Sequence, residues 1–302
     1  MIKKLSIITV LFLAVAYVGY FTDWDDRLWY FWHDLRVSRE VKANAIWLPD
    51  YQVDIEARKI PGIKDNASGI TFDPDRKTLW IVVNNPTLLL EMDLEFRVLR
   101  RIELINFFDT EAVAYVRKGF LALCDERDQA LVLARVDDHT RRLDRKTLHQ
   151  LALNLSGHTN KGMEGVAVNP ETLTIYTVRE RDPMKLIQVS GLIEDQLIIN
   201  IDTPAQIDVT DLYMDDLSGL HYDADTHHLL ILSDESKMLA EIDFSGNKIS
   251  YMDLEKGFGR LSHSILQPEG VTIDDAGHLY IISEPNLIYR FTKNNVSEDQ
   301  SE

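Results

Sequence analysis

Carboxylates recur in this chain at one place in a repeated pattern. Three glutamates each precede a tiny residue and then a bulky apolar one: Glu111-Ala112-Val113, Glu164-Gly165-Val166 and Glu269-Gly270-Val271. Serines hold the same place in Ser68-Gly69-Ile70 and Ser218-Gly219-Leu220. A second polar set closes the apolar run that follows each of these: Asn84-Asn85, Asp125-Glu126, Arg179-Glu180, Asp234-Glu235 and Ser283-Glu284. If the two sets share a face, Glu111, Asp125, Glu126, Glu164, Glu180, Asp234, Glu235, Glu269 and Glu284 crowd one site. Like charges that close raise one another's pKa unless something compensates. Three compensations exist: a metal ion, arginines or trapped protons. The candidate ligands are all oxygens, with His158 and His263 only in flanking loops, so a hard divalent cation fits better than zinc. Calcium suits a carboxylate ring best because its coordination is flexible, and magnesium is the alternative. Arg127, Lys161, Arg179 and Arg181, with His263, are the groups available to contact an anionic substrate. The rival reading has the acids pairing with these arginines and locking neighbouring segments together.

The elements that must position these residues repeat. The tiny residues Gly69, Ala112, Gly165, Gly219 and Gly270 fall 43, 53, 54 and 51 positions apart, about the length of a four-stranded propeller blade. After each comes alternation of period two, the mark of a strand. Turn formers follow at Asp73-Pro74-Asp75, Asn169-Pro170-Glu171, Asp223-Ala224-Asp225 and Asp274-Asp275-Ala276-Gly277. Two of these look like the start of a calcium loop, but the rest of that loop is missing and they read as turns. Second strands are expected at 79–83, 120–124, 174–178, 229–233 and 279–283. Third strands are expected at 88–92, 130–136, 185–189, 239–242 and 287–291, and outer strands at 98–104, 147–153, 197–201 and 249–254. The fifth copy lacks an outer strand, and a spare strand lies at 51–60. The expected fold is therefore all-β: a propeller of five four-stranded blades (six being the alternative), its ring closed by the N-terminal strand. The tiny residues are explained if the first strands converge on an axis where larger side chains do not fit.

Ahead of the propeller, Lys3 and Lys4 precede the apolar run Leu5–Phe21, 17 residues long, and Asp23, Asp25 and Asp26 follow it. That is the short limit for a membrane span, and the charge order puts the N-terminus in the cytoplasm and the rest outside it. A cleaved signal peptide is the rival, since Ala14-Val15-Ala16 has the small-x-small form; the apolar run continuing to Phe21 favours an uncleaved anchor. Trp24, Leu28, Phe31, Trp32 and Leu35 then recur at helical spacing, with Trp29, Tyr30 and Trp47 nearby. An interfacial helix and a helix packed on the main domain both fit. The expected organisation is an anchor at 1–22, an aromatic-rich helix and linker at 23–50, the propeller at 51–292 and a polar, disordered tail at 293–302.

With 32 basic against 49 acidic residues, the net charge is −17, which argues against nucleic acid as partner. One cysteine, Cys124, lies inside an apolar run and reads as a buried, inert thiol. Nucleophile-elbow, zinc-protease and nucleotide-loop motifs are absent, and Ser218, Ser262 and His263 read as ordinary loop residues.

At these repeats the chain resembles the SdiA-regulated family (the YjiK/CarP type). The most specific pieces are Asp125-Glu126-Arg127-Asp128, Gly162-Met163-Glu164-Gly165, Ser262-His263, Gln267-Pro268-Glu269-Gly270-Val271 and Ser283-Glu284-Pro285-Asn286. The resemblance implies a β-propeller over about residues 51–292, commonly behind an N-terminal membrane anchor. Its CarP branch is associated with calcium response and has been likened to propeller phytases. Three functions follow as expectations. The first is a periplasmic, inner-membrane-anchored propeller that binds calcium at its acidic mouth and serves calcium response or homeostasis. The second is a metal-dependent hydrolase, acting as a phosphoesterase or lactonase with Glu164 or Glu126 as base. The third is a non-catalytic protein-interaction scaffold.

Overall fold

The computed structural model describes residues 24–153 and 162–293. Two compact units divide at Asn44. The first contains helices α1 (Trp24–Arg36) and α2 (Arg39–Ala43). Ser38 caps α2 by accepting from the Val41 N–H at 3.3 Å. On α1 the side chains of Leu28, Phe31, Trp32 and Leu35 are exposed, an apolar stripe at the spacing read from the sequence. Among the described residues no helix is long and apolar enough to cross a membrane; the run Leu5–Phe21 lies outside them.

The second unit is a five-bladed propeller of five separate sheets, antiparallel apart from one rim strand, each running from the axis outward. The first blade is β2 (Ala67–Asp73), β3 (Thr78–Val83), β4 (Leu88–Asp93) and β5 (Val98–Ile105), with a short parallel addition, β9 (Arg142–Asp144), on its rim. The second is β6 (Thr110–Arg117), β7 (Phe120–Asp125), β8 (Ala130–Arg135) and β10 (His149–Ala152). The third is β11 (Met163–Asn169), β12 (Thr174–Arg179), β13 (Lys185–Ser190) and β14 (Asn200–Asp202). The fourth is β15 (Gly219–Asp223), β16 (His228–Ser233), β17 (Met238–Ile242) and β18 (Lys248–Asp253). The fifth is β19 (Gln267–Ile273), β20 (Leu279–Glu284) and β21 (Leu287–Lys293), completed by β1 (Tyr51–Lys59) from the other end of the chain. Tyr51 pairs with Lys293 and Lys59 with Leu287, so the ring closes by the spare strand and the fifth sheet loses a free edge.

Blades pack face to face, which explains the unbroken apolar runs. The second strand of a blade is covered on both faces, and β3, β7 and β12 are buried at every position. The seam between the fourth and fifth blades gathers Leu230, Leu232, Leu239, Ile281 and Phe291; that between the fifth and first gathers Tyr280, Ile282, Ile70 and Ile81. Each such side chain taken wholly out of water contributes roughly 1.5–3 kcal/mol. Cys124 is fully buried in the seam between the second and third blades. The Asp73 turn is an Asx turn, its Oδ1 accepting from the Asp75 and Arg76 N–H groups at 3.0 Å.

The chain enters the propeller through a buried carboxylate. Glu241 on β17 accepts from the N–H of Ile46 (2.7 Å) and of Trp47 (2.9 Å), from Ser250 Oγ (2.6 Å), and faces His228 Nδ1 at 2.7 Å. Trp47 is thereby buried rather than part of an aromatic surface, because Glu241 fixes its backbone against the fourth blade.

At the axis the tiny residues are required. A Cβ built on Gly69 would stand 2.6 Å from Ala112 Cα, and one on Gly270 would stand 2.9 Å from both Ile70 N and Ser68 O. These are backbone atoms of the neighbouring blade and cannot yield locally. Gly270→Val should therefore destabilise the domain by about 1–3 kcal/mol, read as a lower melting temperature. An unchanged transition would contradict this packing. Deleting β1 should abolish the cooperative transition altogether.

Candidate functional site

The carboxylates reach the channel because the inner strands are kinked where they begin. In β11, Met163 faces Arg179 and Gly165 faces Val178, which leaves Glu164 as an unpaired extra residue. The same register break leaves Glu111 extra in β6, the pair Ser68-Gly69 in β2 and Glu269 in β19. A bulge bends its strand and re-aims the side chain that carries it. In the fourth blade, Ser218 precedes β15 and donates its hydroxyl to Pro268 O at 2.7 Å, tying the fourth and fifth blades together. The ends of the second strands lie beside these starts, as the pairing of Gln267 with Glu284 shows.

The result is a cavity of about 190 Å³ at one mouth of the channel, lined among the described residues by the carboxylates of Glu111, Glu164, Glu180, Asp216, Asp234, Glu269 and Glu284, with Ser218 and the guanidinium of Arg181. Beside it, ligand oxygens of Asp109, Glu111 and Glu126 lie within 4.8 Å of one another. The lining therefore includes six of the nine expected acids, and Glu126 stands at its edge.

The remaining predicted residues are placed differently. Asp125 is fully buried away from the lining; it accepts from the Phe108 N–H at 2.9 Å and pairs with Arg145 at 3.3 Å. Glu235 is exposed at the rim and holds Arg181 Nη1 at 2.6 Å, while Arg181 also pairs with Glu180. Arg127 is exposed, 3.7 Å from Asp109. Arg179 is buried at the end of β12. His263 is exposed on an outer loop, its ring 3.9 Å from Glu56. Lys161 and His158 lie outside the described residues. Two carboxylates of the site, Asp109 and Asp216, stand outside the pattern read from the sequence. Each sits two residues before a first-strand opening, the position held by Asn66, Gly162 and Gln267 in the other blades, and that periodicity is the signal that could have found them. Asp216 is buried and accepts from Ser233 Oγ and from the Glu235 N–H, the latter at 3.0 Å.

The acids divide by how well they are compensated. Glu111 accepts from Asn84 Nδ2 at 2.8 Å, Glu126 from the Gly162 N–H at 2.8 Å, and Asp234 pairs with Lys237 at 2.5 Å. Among the described residues, Glu164 and Glu269 have neither a hydrogen-bond donor nor a cation. Burial, then the negative charges of Asp234, Glu111, Glu284 and Asp216, push Glu269 up to about 9. Burial, then Asp109, Glu126 and Glu284, raise Glu111 to about 8 against a hydrogen bond from Ser68. Burial, then Glu111, Glu126, Glu269 and Glu180, hold Glu164 well above the usual range. Burial is also the leading cause of the upward shifts of Glu126, Glu180, Asp216 and Glu284. Among the described residues Arg181 is the one cation of the lining and is already committed to two acids; the arrangement can bind a hard cation or hold protons.

Fold and site together define a five-bladed propeller with an acidic channel mouth. A family model for SdiA-regulated proteins matches residues 43–292, and the chain belongs to that family. Among solved structures it is similar to regucalcin from Agrobacterium tumefaciens str. C58, a calcium-binding protein, at a TM-score of 0.52 and 14% identity over 80% of this chain and 94% of that one. It is also similar to luciferin-regenerating enzyme, at 0.51 and 10% over 80% and 96%. At such identities the likeness is one of fold.

The pKa shifts fix a pH dependence. A carboxyl group whose folded-state pKa is raised contributes stability below its unfolded value, and that contribution is lost as pH rises through the folded value. For Glu111 and Glu269 the loss runs from the ordinary value of 4.5 up to about 8 and about 9. The melting temperature of the cation-free protein should consequently fall across that window, and Glu164→Gln with Glu269→Gln should flatten the fall. A steeper fall in the double variant would contradict the assignment.

Proposed function

We propose that this propeller takes up a divalent cation, calcium before magnesium, in its acidic mouth, as a membrane-anchored protein of the bacterial inner membrane. In this reading its C-terminal domain faces the periplasm and it serves calcium response or homeostasis. The observation that carries the cation is the cavity itself: among the described residues, seven carboxylates against one guanidinium line a space of about 190 Å³. Its donor set is all oxygen, which suits calcium. Asp109, Glu111 and Glu126 already bring ligand oxygens within 4.8 Å of one another, and Glu164 and Glu269, on the same cavity, would close on the ion from two further blades. The ion would supply the positive charge that no described residue gives Glu164 and Glu269. The likeness to a structure described as a calcium-binding protein agrees with this but carries only the fold. The anchor rests on the apolar run Leu5–Phe21 and the charges around it, and the exposed apolar stripe of α1 suits the membrane surface beside it.

Calcium titrated into the full chain at neutral pH should bind, raise the melting temperature and release protons, because Glu111 and Glu269 must ionise to become ligands. Affinity should rise with pH. Glu164→Gln and Glu269→Gln should each weaken binding by about tenfold or more, equivalent to about 1.4 kcal/mol. Absence of calcium-linked heat and of any shift in melting would overturn the cation reading. Independently, the chain should stay with membranes after alkaline extraction of cells, and deletion of residues 5–21 should free it. Release of the intact chain would contradict the anchor.

A further inference from the structure

The channel has a second mouth. At the ring of tiny residues it narrows to a gap of about 10 Å³ between Gly69, Gly165, Gly219 and Gly270. Beyond the gap it opens on the opposite face into a cavity of about 320 Å³. Its floor is a ring of branched side chains, Ile70, Val113, Val166, Leu220 and Val271. Phe72, Tyr115 and Tyr222 stand in its wall. Two of these rings are fixed in place. The Tyr115 hydroxyl donates to Asp75. The Tyr222 hydroxyl lies 3.0 Å from Asn169 Nδ2 and 2.9 Å from His227 Nδ1, and its ring stacks on Tyr176 with centroids 6.1 Å apart.

The rim is acidic. Asp275 is paired with Lys77. Asp274 is buried and engaged by Tyr280 and His278. Asp223 accepts from the Thr226 N–H (2.9 Å) and hydroxyl (2.7 Å) through one oxygen only. Neither Asp223 nor Asp225 has a cationic partner among the described residues. His221 lines the same cavity, and among the described residues no hydrogen-bond partner meets its ring.

We propose that this mouth binds a small amphipathic organic cation, its apolar body in the funnel and an ammonium-type head between Asp223 and Asp225. The volume falls in the range of small-molecule sites, and such sites pair apolar walls with a few placed polar groups. Tyrosine rings beside unpaired carboxylates are the surroundings that attract an organic cation. Among the described residues the carboxylates spaced to share a metal ion lie at the other mouth, and a bare ion here would meet an apolar floor. Burial outweighs the nearby Asp223 and holds His221 down at about 4, so its neutral ring adds no repulsion and offers a nitrogen to a polar group on the ligand.

Three probes with one body and different heads test this on the full chain by calorimetry: phenylbutylammonium, phenylbutanol and phenylbutanoate. The ammonium should bind about tenfold tighter than the alcohol, and the carboxylate should show no heat. Asp225→Asn, at an exposed position, should remove most of the preference for the ammonium. Binding should persist in the Glu164→Gln, Glu269→Gln double variant, because that mouth lies beyond the constriction. The proposal is overturned if the ammonium does not bind, if the three heads bind alike, if Asp225→Asn keeps the preference, or if the double variant loses binding.

Discussion

The structure depends on how closely five inner strands approach one axis. Gly69, Ala112, Gly165, Gly219 and Gly270 leave no large side chain to hold the strands apart, and a Cβ added at Gly69 or Gly270 would meet neighbouring backbone at 2.6–2.9 Å. A ring drawn this tight places the residue before each tiny one at the mouth of a narrow channel. Three of those residues are glutamates and two are serines. The same contact pinches the channel in the middle, so one molecule carries two separate cavities with different linings.

Drawing carboxylates together in this way costs stability. Two charges about 5 Å apart at an effective dielectric of ~20 repel by roughly 3 kcal/mol, and burial adds a desolvation cost. Apolar burial in the blade seams is large enough to hold the ring closed against this. Protons are one way to relieve the charge, which is why Glu111, Glu164 and Glu269 hold theirs far above the usual carboxylate range. A divalent cation is the other, and it competes for the same oxygens. Arginine pairing is a minor part: Arg181 serves Glu180 and Glu235, and Arg145 serves Asp125.

Much of this was legible in the residues. The spacing of the tiny residues announced five blades. The missing outer strand of the last copy, with a spare strand at residues 51–60, announced the closure seen between β1 and β21. The glutamates before Ala112, Gly165 and Gly270 marked the mouth. Less local features were not legible. Asp125 turns away from the mouth into a fully buried place between the Phe108 N–H and Arg145, a partner 20 residues further on; Glu126, next in sequence, reaches Glu111 instead. Asp109 and Asp216 precede their strands and so lie outside the strand alternation. The second cavity is hidden in the sequence because Val113, Val166 and Leu220 alternate as ordinary core residues do, and only the closed ring reveals that they face a channel.

Crystals of the propeller grown with calcium, measured at a wavelength where calcium scatters anomalously, test most directly whether the mouth takes up a cation. An anomalous peak is expected inside the mouth, within coordination distance of carboxylate oxygens from Glu111, Glu164 and Glu269. A cavity holding only water, with the glutamates paired by shared protons, would contradict it.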